Sequence, residues 1–281
     1  MPITKHQIIT PQSTCAGQPR ARGEIRLSSK QVGARSVLNR LYQSGSARCL
    51  FPRVNGTAFN AVFLNTAGGV TGGDKIDFFA TAGAGSTMTL TTQACERVYK
   101  AQPDQIGHVR NTLHVKAGAR LNWMPQETIL FDASALDRRL HITLEGDARL
   151  LMVEPVVFGR AAMGETLTSC TFRDRIEITR DAKPIYIDAM RFKGNLAAHL
   201  AQKHTANGAG AMASVVLIDP TAEAHLKAVR ARLPETAGAS MLADDMLVLR
   251  VLAPDSFALR QVLLPVLSLL NDTEIPRCWM I

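Results

Sequence analysis

The sequence predicts a mainly β protein whose short strands stack into a helicoid, β-helix-like scaffold, with about two α-helices in the C-terminal part. From Gly23 to about Asp188, apolar and polar residues alternate with a period of two, as in strands with one buried face. A strand, a tight glycine turn and a second strand also recur there, with turns at Gly83, Gly118 and Gly146. The steps from 83 to 118 and from 118 to 146, 35 and 28 residues, fit stacked β coils with variable loops. A β-sandwich with similar hairpins fits the same pattern equally well.

Length and composition are those of an ordinary globular protein. The chain has 281 residues, of which 46% are hydrophobic and 20% are charged, enough to build a sizeable core. We expect a loose arm over residues 1–22 and one continuous domain over residues 23–281. That domain is expected to be β-rich to about residue 190 and mixed α/β over residues 191–281, because no linker-like segment divides it.

The strand pattern is clearest in four segments of the β-rich part. They are Met88 with Leu90, Leu113 with Val115, Leu140 to Leu144, and Ile176 with Ile178. In each of them polar residues occupy the intervening positions. Aromatic residues make up only 5% of the chain, so small aliphatic residues and threonine must fill the core.

The C-terminal part changes to a mixed pattern. A short strand over 215–218 precedes Asp219-Pro220, which predicts a helix with Asp219 as its N-cap. The apolar stripe of that helix consists of Ala222, Leu226, Val229 and Leu233. A buried strand over 246–252 and a second helical pattern over 254–270 follow.

Charge and cysteine content limit the classes of partner. The formal net charge is +8, but the basic residues are scattered, and the short groups Asp137-Arg138-Arg139 and Arg173-Asp174-Arg175 each contain an acid. A solvated basic surface is the first interpretation and an acidic protein partner the second; nucleic acid is not expected. Five dispersed cysteines form no disulfide framework and suit a cytoplasmic location. Neither a signal peptide nor a membrane span is expected.

A glycine cluster at residues 65–74 is the densest backbone signal in the chain. Gly68, Gly69, Gly72 and Gly73 are followed by Asp74, whereas a phosphate-binding loop needs Gly-Lys-Ser/Thr at the start of a helix. An alternating strand pattern follows instead, and the carboxylate of Asp74 would repel a phosphate. The cluster therefore predicts a tight β turn that fixes one carboxylate.

Residues with possible chemistry are few. Cys95-Glu96 and Cys170 could supply ligands for a borderline ion such as nickel, although buried inert thiols are the simpler interpretation. Glu154 and Glu165 lie on either side of Arg160. They could perform acid–base chemistry or bind a cation, or Arg160 could neutralise one of them in an ion-paired turn. No nucleophile elbow is present, and no catalytic residue is assigned.

Five ordered blocks together resemble the urease accessory protein UreD family, called UreH in some organisms. The blocks are Gly68-Gly69-Val70-Thr71-Gly72-Gly73-Asp74; Thr91-Thr92-Gln93-Ala94 with Arg97-Val98-Tyr99-Lys100; the run from Leu121 to Phe131, which includes Pro125 and Gln126; Glu154 with Gly159-Arg160 and Gly164-Glu165; and Pro276-Arg277 with Trp279. They cover roughly residues 23–281. Two departures are Asn65-Thr66-Ala67, where the family usually has prolines, and Arg97 with Lys100, which exchange the family's basic residues.

The resemblance implies a non-catalytic scaffold rather than an enzyme. Members of this family act with a UreF-type protein and the GTPase UreG, dock on apo-urease and help to deliver nickel, without a stably bound cofactor. A water-filled nickel passage has been proposed for them, and here Asp74, Glu154, Arg160 and Glu165 are the candidate lining residues. Two alternatives stay open: a β-helical carbohydrate-active enzyme that uses Glu154 and Glu165, and a plain β-rich protein-binding module.

Overall fold

Two β-sheets face each other through the molecule, which a computed structural model describes over residues 18–54 and 56–280. Most of the expected N-terminal arm, residues 1–17, lies outside the described residues, and the first strand begins at Arg22. The strands are β1 Arg22–Val32, β2 Arg35–Gly45, β3 Ala47–Leu50, β4 Phe59–Asn65, β5 Lys75–Ala82, β6 Thr87–Thr92, β7 Glu96–Val98, β8 Gly107–Val115, β9 Arg120–Met124, β10 Thr128–Leu130, β11 Ala135–Leu144, β12 Arg149–Phe158, β13 Cys170–Arg180, β14 Lys183–Gly194, β15 Ala211–Ile218, β16 Ala237–Ala243 and β17 Met246–Ala253.

Sheet A and sheet B are each parallel in the middle and antiparallel at the edges. Sheet A has the strand order β14-β13-β11-β8-β5-β1-β2, and its five central strands run parallel. Sheet B has the order β16-β17-β15-β12-β9-β6-β4-β3, with β12, β9, β6 and β4 parallel. The chain passes from one sheet to the other and back, so that successive circuits stack as the coils of a β-solenoid. The predicted mainly β, stacked-strand fold is confirmed.

A short parallel branch of sheet B, joined to it through β12, closes one corner of each coil. It consists of β7, β10 and the last residues of β12, which pair in parallel, and Val70 extends it by a bridge to Val98. We call it the corner sheet. Because it lies between the end of sheet B and the return to sheet A, the coils have three sides.

Four-residue turns join sheet A to sheet B at the opposite end of each coil. Thr87, Arg120 and Arg149 occupy equivalent positions in register. The left-handed residues in the first two turns are Gly85 and Gly118, each with φ of +68°. In the third turn the left-handed residue is Gly146, one position earlier in the turn than Gly85 and Gly118 in theirs. The position equivalent to Gly118 is occupied by Asp147, whose side chain accepts a 2.7 Å hydrogen bond from the Gly118 amide. The repeat is real, but its aligned glycine is Gly85 rather than Gly83.

Within the described residues, three α-helices follow the solenoid coils in sequence: α1 Leu196–Leu200, α2 Ala222–Arg230 and α3 Ser256–Leu270. The sequence predicts the last two, and α1 is additional. The predicted N-cap is wrong, because α2 is preceded by Thr221 and Asp219 does not cap it. The Asp219 carboxylate instead accepts bonds from Thr221 and lies 3.1 Å from the buried guanidinium of Arg120. No helix in the described ranges is long and apolar enough to cross a membrane.

Buried side chains form three clusters. The inter-sheet cluster lies between sheets A and B and includes Phe78, Leu113 and Trp123. The helix-side cluster lies between sheet B and helices α2 and α3, and includes Leu263 and Trp279. The corner cluster, behind the corner sheet, includes Val98, Leu130 and Phe172. Sheet B therefore contributes to a core on both of its faces.

Candidate functional site

The sequence blocks that are far apart in the chain meet at the corner sheet. The glycine cluster reaches it through Val70, the second block through β7, the third through β10 and the fourth through the end of β12. They meet because each block occupies the same corner of a successive coil. The candidate site is this corner, its outer surface and the cavity behind it.

The glycine cluster packs too closely for side chains. A Cβ on Gly69 would lie 2.3 Å from the ring of Tyr99 and 2.6 Å from the carbonyl oxygen of Arg97. Gly68 and Gly73 have φ of +79° and +89°, a region that favours glycine. Close approach at Gly69 seats the loop directly against the second block.

Asp74 serves as the fixed carboxylate of this turn. Its two oxygens accept hydrogen bonds from the amides of Ala21, at 2.7 Å, and Thr71, at 2.8 Å. The side chain is buried, and it holds the turn against the segment that leads into β1. This placement satisfies the carboxylate with backbone donors.

A column of stacked side chains runs along the outer surface of the corner. Tyr99 meets Phe131 edge to face, with ring centroids 5.1 Å apart, and the Arg160 guanidinium lies 4.1 Å above the Phe131 ring. The Arg160 guanidinium also donates two hydrogen bonds to Glu165, at 2.7 and 3.0 Å, and the Arg160 amide donates a third at 3.0 Å. These bonds hold the pKa of Glu165 below its usual range. Gly159 and Gly164, both at positive φ, delimit this turn.

A cavity of about 220 Å³ lies behind the corner sheet, inside the solenoid. Its polar lining residues include Asn65, Glu96, Asn111, Gln126, Thr128, Arg138 and Glu154. Pro125 and Trp123 contribute apolar wall. Sheet A, sheet B and the corner sheet all supply lining residues, so the cavity is a property of the coil rather than of one loop.

A buried ionic cluster forms one wall of this cavity. Arg138 donates two hydrogen bonds to Asp174, at 2.9 and 2.7 Å, and one to Thr128 at 3.0 Å. Its Nη1 also lies 2.7 Å from Oε2 of Glu154, whose Oε1 accepts a 2.6 Å bond from the Trp123 indole. Burial raises the pKa of Glu154, although the positive charge of Arg138 opposes this.

One carboxylate oxygen of this cluster keeps hydrogen-bonding capacity. Oε2 of Glu154 is paired with Nη1 of Arg138 by charge, but it accepts no hydrogen bond from any described residue. The cluster of Arg138, Glu154 and Asp174 contains two acids and one base. It therefore places an acceptor at the cavity wall without an excess of positive charge.

Glu96 is one of three carboxylates among the described lining residues of the cavity, with Asp77 and Glu154. Burial raises its pKa to about 7, the charge of Asp74 adds to the effect, and a 3.4 Å hydrogen bond from Asn65 opposes it. The strand register places Glu96 beside Thr128 in the corner sheet, and both residues line the cavity. A carboxylate with this pKa exchanges its proton near neutral pH.

The structure separates the four residues expected to line a passage. Glu154 lines the interior cavity. Arg160 and Glu165 form the ion-paired turn on the outside of the wall, and Asp74 is engaged in its turn; these three are not among the lining residues. Glu154 and Glu165 therefore face different cavities, and no shared groove brings the two acids together.

The closing block anchors the C-terminus beside the third block. Trp279 is fully buried, and its indole donates a 2.9 Å hydrogen bond to the Met124 carbonyl. Arg260 of α3 forms a 2.6 Å ion pair with Glu127 and a hydrogen bond to Gln126. The Gln126-Glu127 pair thus joins the corner to the helices on the outer side of sheet B.

The residues 21–280 match the family model described as UreD urease accessory protein. The chain belongs to the UreD urease accessory protein family. Curated members include "Urease accessory protein UreD" of Ruegeria pomeroyi, 60% identical over 257 residues, which cover 92% of this chain and 100% of that protein. The proteins of the same name from Roseobacter denitrificans and Rhizobium etli are 48% and 41% identical, over 95% of this chain and 97% and 98% of theirs. The blocks that carry the resemblance are thus part of a match that extends over nearly the whole chain.

Sequence reasoning missed Arg138 and Asp174 and gave Glu96 only a minor place. The sequence did contain a signal for the first two. Arg138 and Asp174 each lie two positions after a buried apolar residue, Leu136 and Phe172, and therefore face the interior like them. Among residues 18–54 and 56–280, no group of three or more His, Cys, Asp or Glu side chains is placed to hold a metal ion. Cys170, weighed as a soft ligand, lies buried 3.6 Å from the Ser134 hydroxyl, and burial raises its pKa.

Proposed function

We propose that this chain is a non-catalytic scaffold of urease maturation, which acts in the cytoplasm with a UreF-type protein and a UreG-type GTPase. Membership of the UreD family over residues 21–280 is the observation that carries the proposal. The relatives are named urease accessory proteins, and a protein accessory to a nickel enzyme is well placed to help load it. The nickel ion is cargo in this proposal, and apo-urease is the acceptor.

The interior cavity supports a route for the cargo. Carboxylate oxygens suit a hydrated divalent cation that must bind weakly and leave again. Glu154 and the titratable carboxylate of Glu96 both line the cavity and offer two such contacts. We therefore place the proposed passage at Glu96 and Glu154, and regard Asp74, Arg160 and Glu165 as the residues that shape its wall.

The alternative of a carbohydrate-active enzyme depends on Glu154 and Glu165 acting together, and their positions do not allow this. Glu154 is buried beside Arg138, and Glu165 is bound to Arg160 on the outer turn. Two carboxylates that act on one glycosidic bond must face the same substrate from about 5–10 Å apart. The other alternative, a β-rich protein-binding module, agrees with the proposal, because a scaffold protein acts by binding other proteins.

Co-expression of the urease structural and accessory genes with and without this chain tests the function. We expect urease purified without the chain to contain little nickel and to have little activity. Equal nickel content in both preparations would overturn the proposal. A pull-down on the tagged chain in the same cells should recover the UreF-type and UreG-type proteins.

Isosteric variants test the passage separately from the assembly. Glu154→Gln and Glu96→Gln should each lower the nickel content of urease while the accessory complex still assembles. Glu145→Gln, an exposed carboxylate next to Lys116, is the matched control and should have no effect. If Glu165→Ala lowers nickel loading and the two interior variants do not, the route lies at the outer turn instead.

A further inference from the structure

Two short charged groups lie side by side in sheet A. Asp137, Arg138 and Arg139 of β11 pair in register with Arg173, Asp174 and Arg175 of β13. Their central residues face inward and form the buried Arg138–Asp174 pair. Because side chains alternate along a strand, the flanking residues face outward. The sequence pattern of acid and base thus separates into an inner ion pair and an outer charged surface.

The outer surface is dominated by arginine. Its arginines are Arg110, Arg139, Arg173, Arg175 and Arg191, and its acids are Asp137 and Glu177. Asp137 pairs with Arg110 at 2.8 Å and lies 3.4 Å from Arg139, while Glu177 pairs with Arg175 at 3.0 Å. Five bases against two acids leave the surface positively charged. We call these seven residues the arginine face.

Two of these arginines directly oppose each other. Arg173 of β13 and Arg191 of β14 are register partners in an antiparallel pair, both are exposed, and neither forms an ion pair with any described residue. Like charges at directly opposite positions destabilise a sheet. A hollow of about 320 Å³ lies between them and the two charged groups of β11 and β13. The fold therefore holds a positively charged hollow that a bound anion would stabilise.

The setting favours a macromolecular partner. Helices α2 and α3 cover sheet B, whereas the Arg139 and Arg175 side chains on the outer face of sheet A are 60% and 47% exposed. Mainly parallel sheets are usually covered on both faces. A charged sheet face that no helix of the described residues covers is a surface on which another protein can dock.

The mixture of charges favours an acidic protein over nucleic acid. Asp137 and Glu177 lie among the arginines and divide them into separate anion sites. This spacing suits the discrete carboxylates of a protein surface better than the continuous charge of a phosphate backbone. The nearby Phe79 ring is covered by Arg26 at 4.4 Å, so it offers no open platform for bases. We propose that the arginine face binds a carboxylate-rich surface of a partner protein, with an Asp or Glu side chain in the hollow between Arg173 and Arg191. This deepens the proposed function, because the partner is sought among the proteins of urease maturation.

Arg173→Glu is the sharpest test, because it separates a structural role from a binding role. The new carboxylate faces Arg191, so the thermal midpoint of the chain should rise slightly. Recovery of one partner, apo-urease or the UreF-type or UreG-type protein, should fall about tenfold in a pull-down from co-expressing cells at ~0.1 M salt. Arg173→Gln should give an intermediate loss. Arg35→Glu, the same charge change in the β1–β2 hairpin, should leave recovery within about twofold of wild type.

The opposite outcomes are distinct. If Arg173→Glu recovers all three partners like wild type, the arginine face is not the docking surface, and the proposed scaffold function stands. If the wild-type chain recovers none of them, both the inference and the proposed function are overturned. Preferential binding of a labelled DNA duplex of about 20 base pairs, lost in Arg173→Glu, would assign the surface to nucleic acid and overturn the inference alone.

Discussion

Glu96 shows how one position in the coil interior acquires a charge that depends on pH. Glu96 lines the cavity and is less exposed than its neighbour in sequence, Arg97. Its pKa is raised to about 7, chiefly by burial. A carboxyl group whose pKa is higher in the folded state than in the unfolded state holds its proton more tightly when folded. Stability therefore falls as pH rises from the unfolded pKa to about 7.

Glu96→Gln should remove that pH dependence. The free energy of unfolding of the variant, relative to wild type, should increase by about 1–3 kcal/mol between roughly pH 5 and pH 8, because only wild type must ionise a partly buried carboxyl. Urea denaturation at the two pH values measures the difference. Glu145→Gln on the surface should show the same difference from wild type at both. A flat profile for Glu96→Gln would mean that cavity water solvates the carboxylate.

Gly68 and Gly69 offer a matched pair in which only one residue lacks space. A Cβ added at Gly68 would have nothing within 4 Å, so Gly68→Ala should lose about 1 kcal/mol from its φ of +79° alone. Gly69→Ala should lose about 3 kcal/mol or more, because the Arg97 carbonyl, 2.6 Å from the added Cβ, belongs to a paired strand and cannot move freely. Thermal denaturation distinguishes them. Equal losses would show that the loop moves away from Tyr99.

At the scale of elements, Arg138 joins sheet A, sheet B and the corner sheet of the coil. It lies on β11 of sheet A, bonds to Thr128 of the corner sheet and pairs with Glu154 of sheet B. Asp174 on the neighbouring strand completes the cluster. Removing one partner from a buried ion pair usually costs more than removing all the charges, because an uncompensated charge stays behind.

Arg138→Met should destabilise the chain by about 3–5 kcal/mol at neutral pH. The triple variant Arg138→Met/Glu154→Gln/Asp174→Asn should lose less than half as much, since no buried charge is left without a partner. Chemical denaturation of the single and triple variants gives the comparison. A triple variant no more stable than the single one would indicate that geometry, and not charge compensation, makes Arg138 essential to the junction.

The strands could be predicted from sequence, but the contacts between them could not. Alternation is a local property, so Leu140 and Ile142 indicate a strand without knowledge of its neighbours. The register between Arg138 and Asp174 depends on the length of the intervening coil, which varies from one circuit to the next. The same limit applies to the site: the blocks containing Gly69, Tyr99 and Glu165 are recognisable in sequence, but only coil geometry puts Glu154 inside and Glu165 outside the wall. Asp219 fits the sequence rule for a helix N-cap, but in the structure it pairs with Arg120, which is distant in sequence, and does not cap α2.

At the scale of the whole molecule, sheet B joins the solenoid to the helical C-terminal part. Its β12 contributes Met152 to the inter-sheet cluster and Leu151 to the helix-side cluster. Alternate residues of one strand therefore belong to cores on opposite sides. That arrangement favours the expectation of one continuous domain over residues 23–281, because neither cluster is complete without sheet B.

The two tryptophans of the chain allow that expectation to be tested. Trp123 lies in the inter-sheet cluster and Trp279 in the helix-side cluster, and both are buried. Trp279→Phe leaves fluorescence that reports on the solenoid, and Trp123→Phe leaves fluorescence that reports on the C-terminal part. Far-UV circular dichroism, recorded on each variant, reports on the whole fold. If the chain is one cooperative unit, each variant's fluorescence and circular dichroism transitions coincide in urea.

Stacked coils can instead unfold in stages from an end, since each contacts only its neighbours. In that case Trp279 would become exposed at a lower urea concentration than the loss of most β structure, and the C-terminal part would be a separate folding unit.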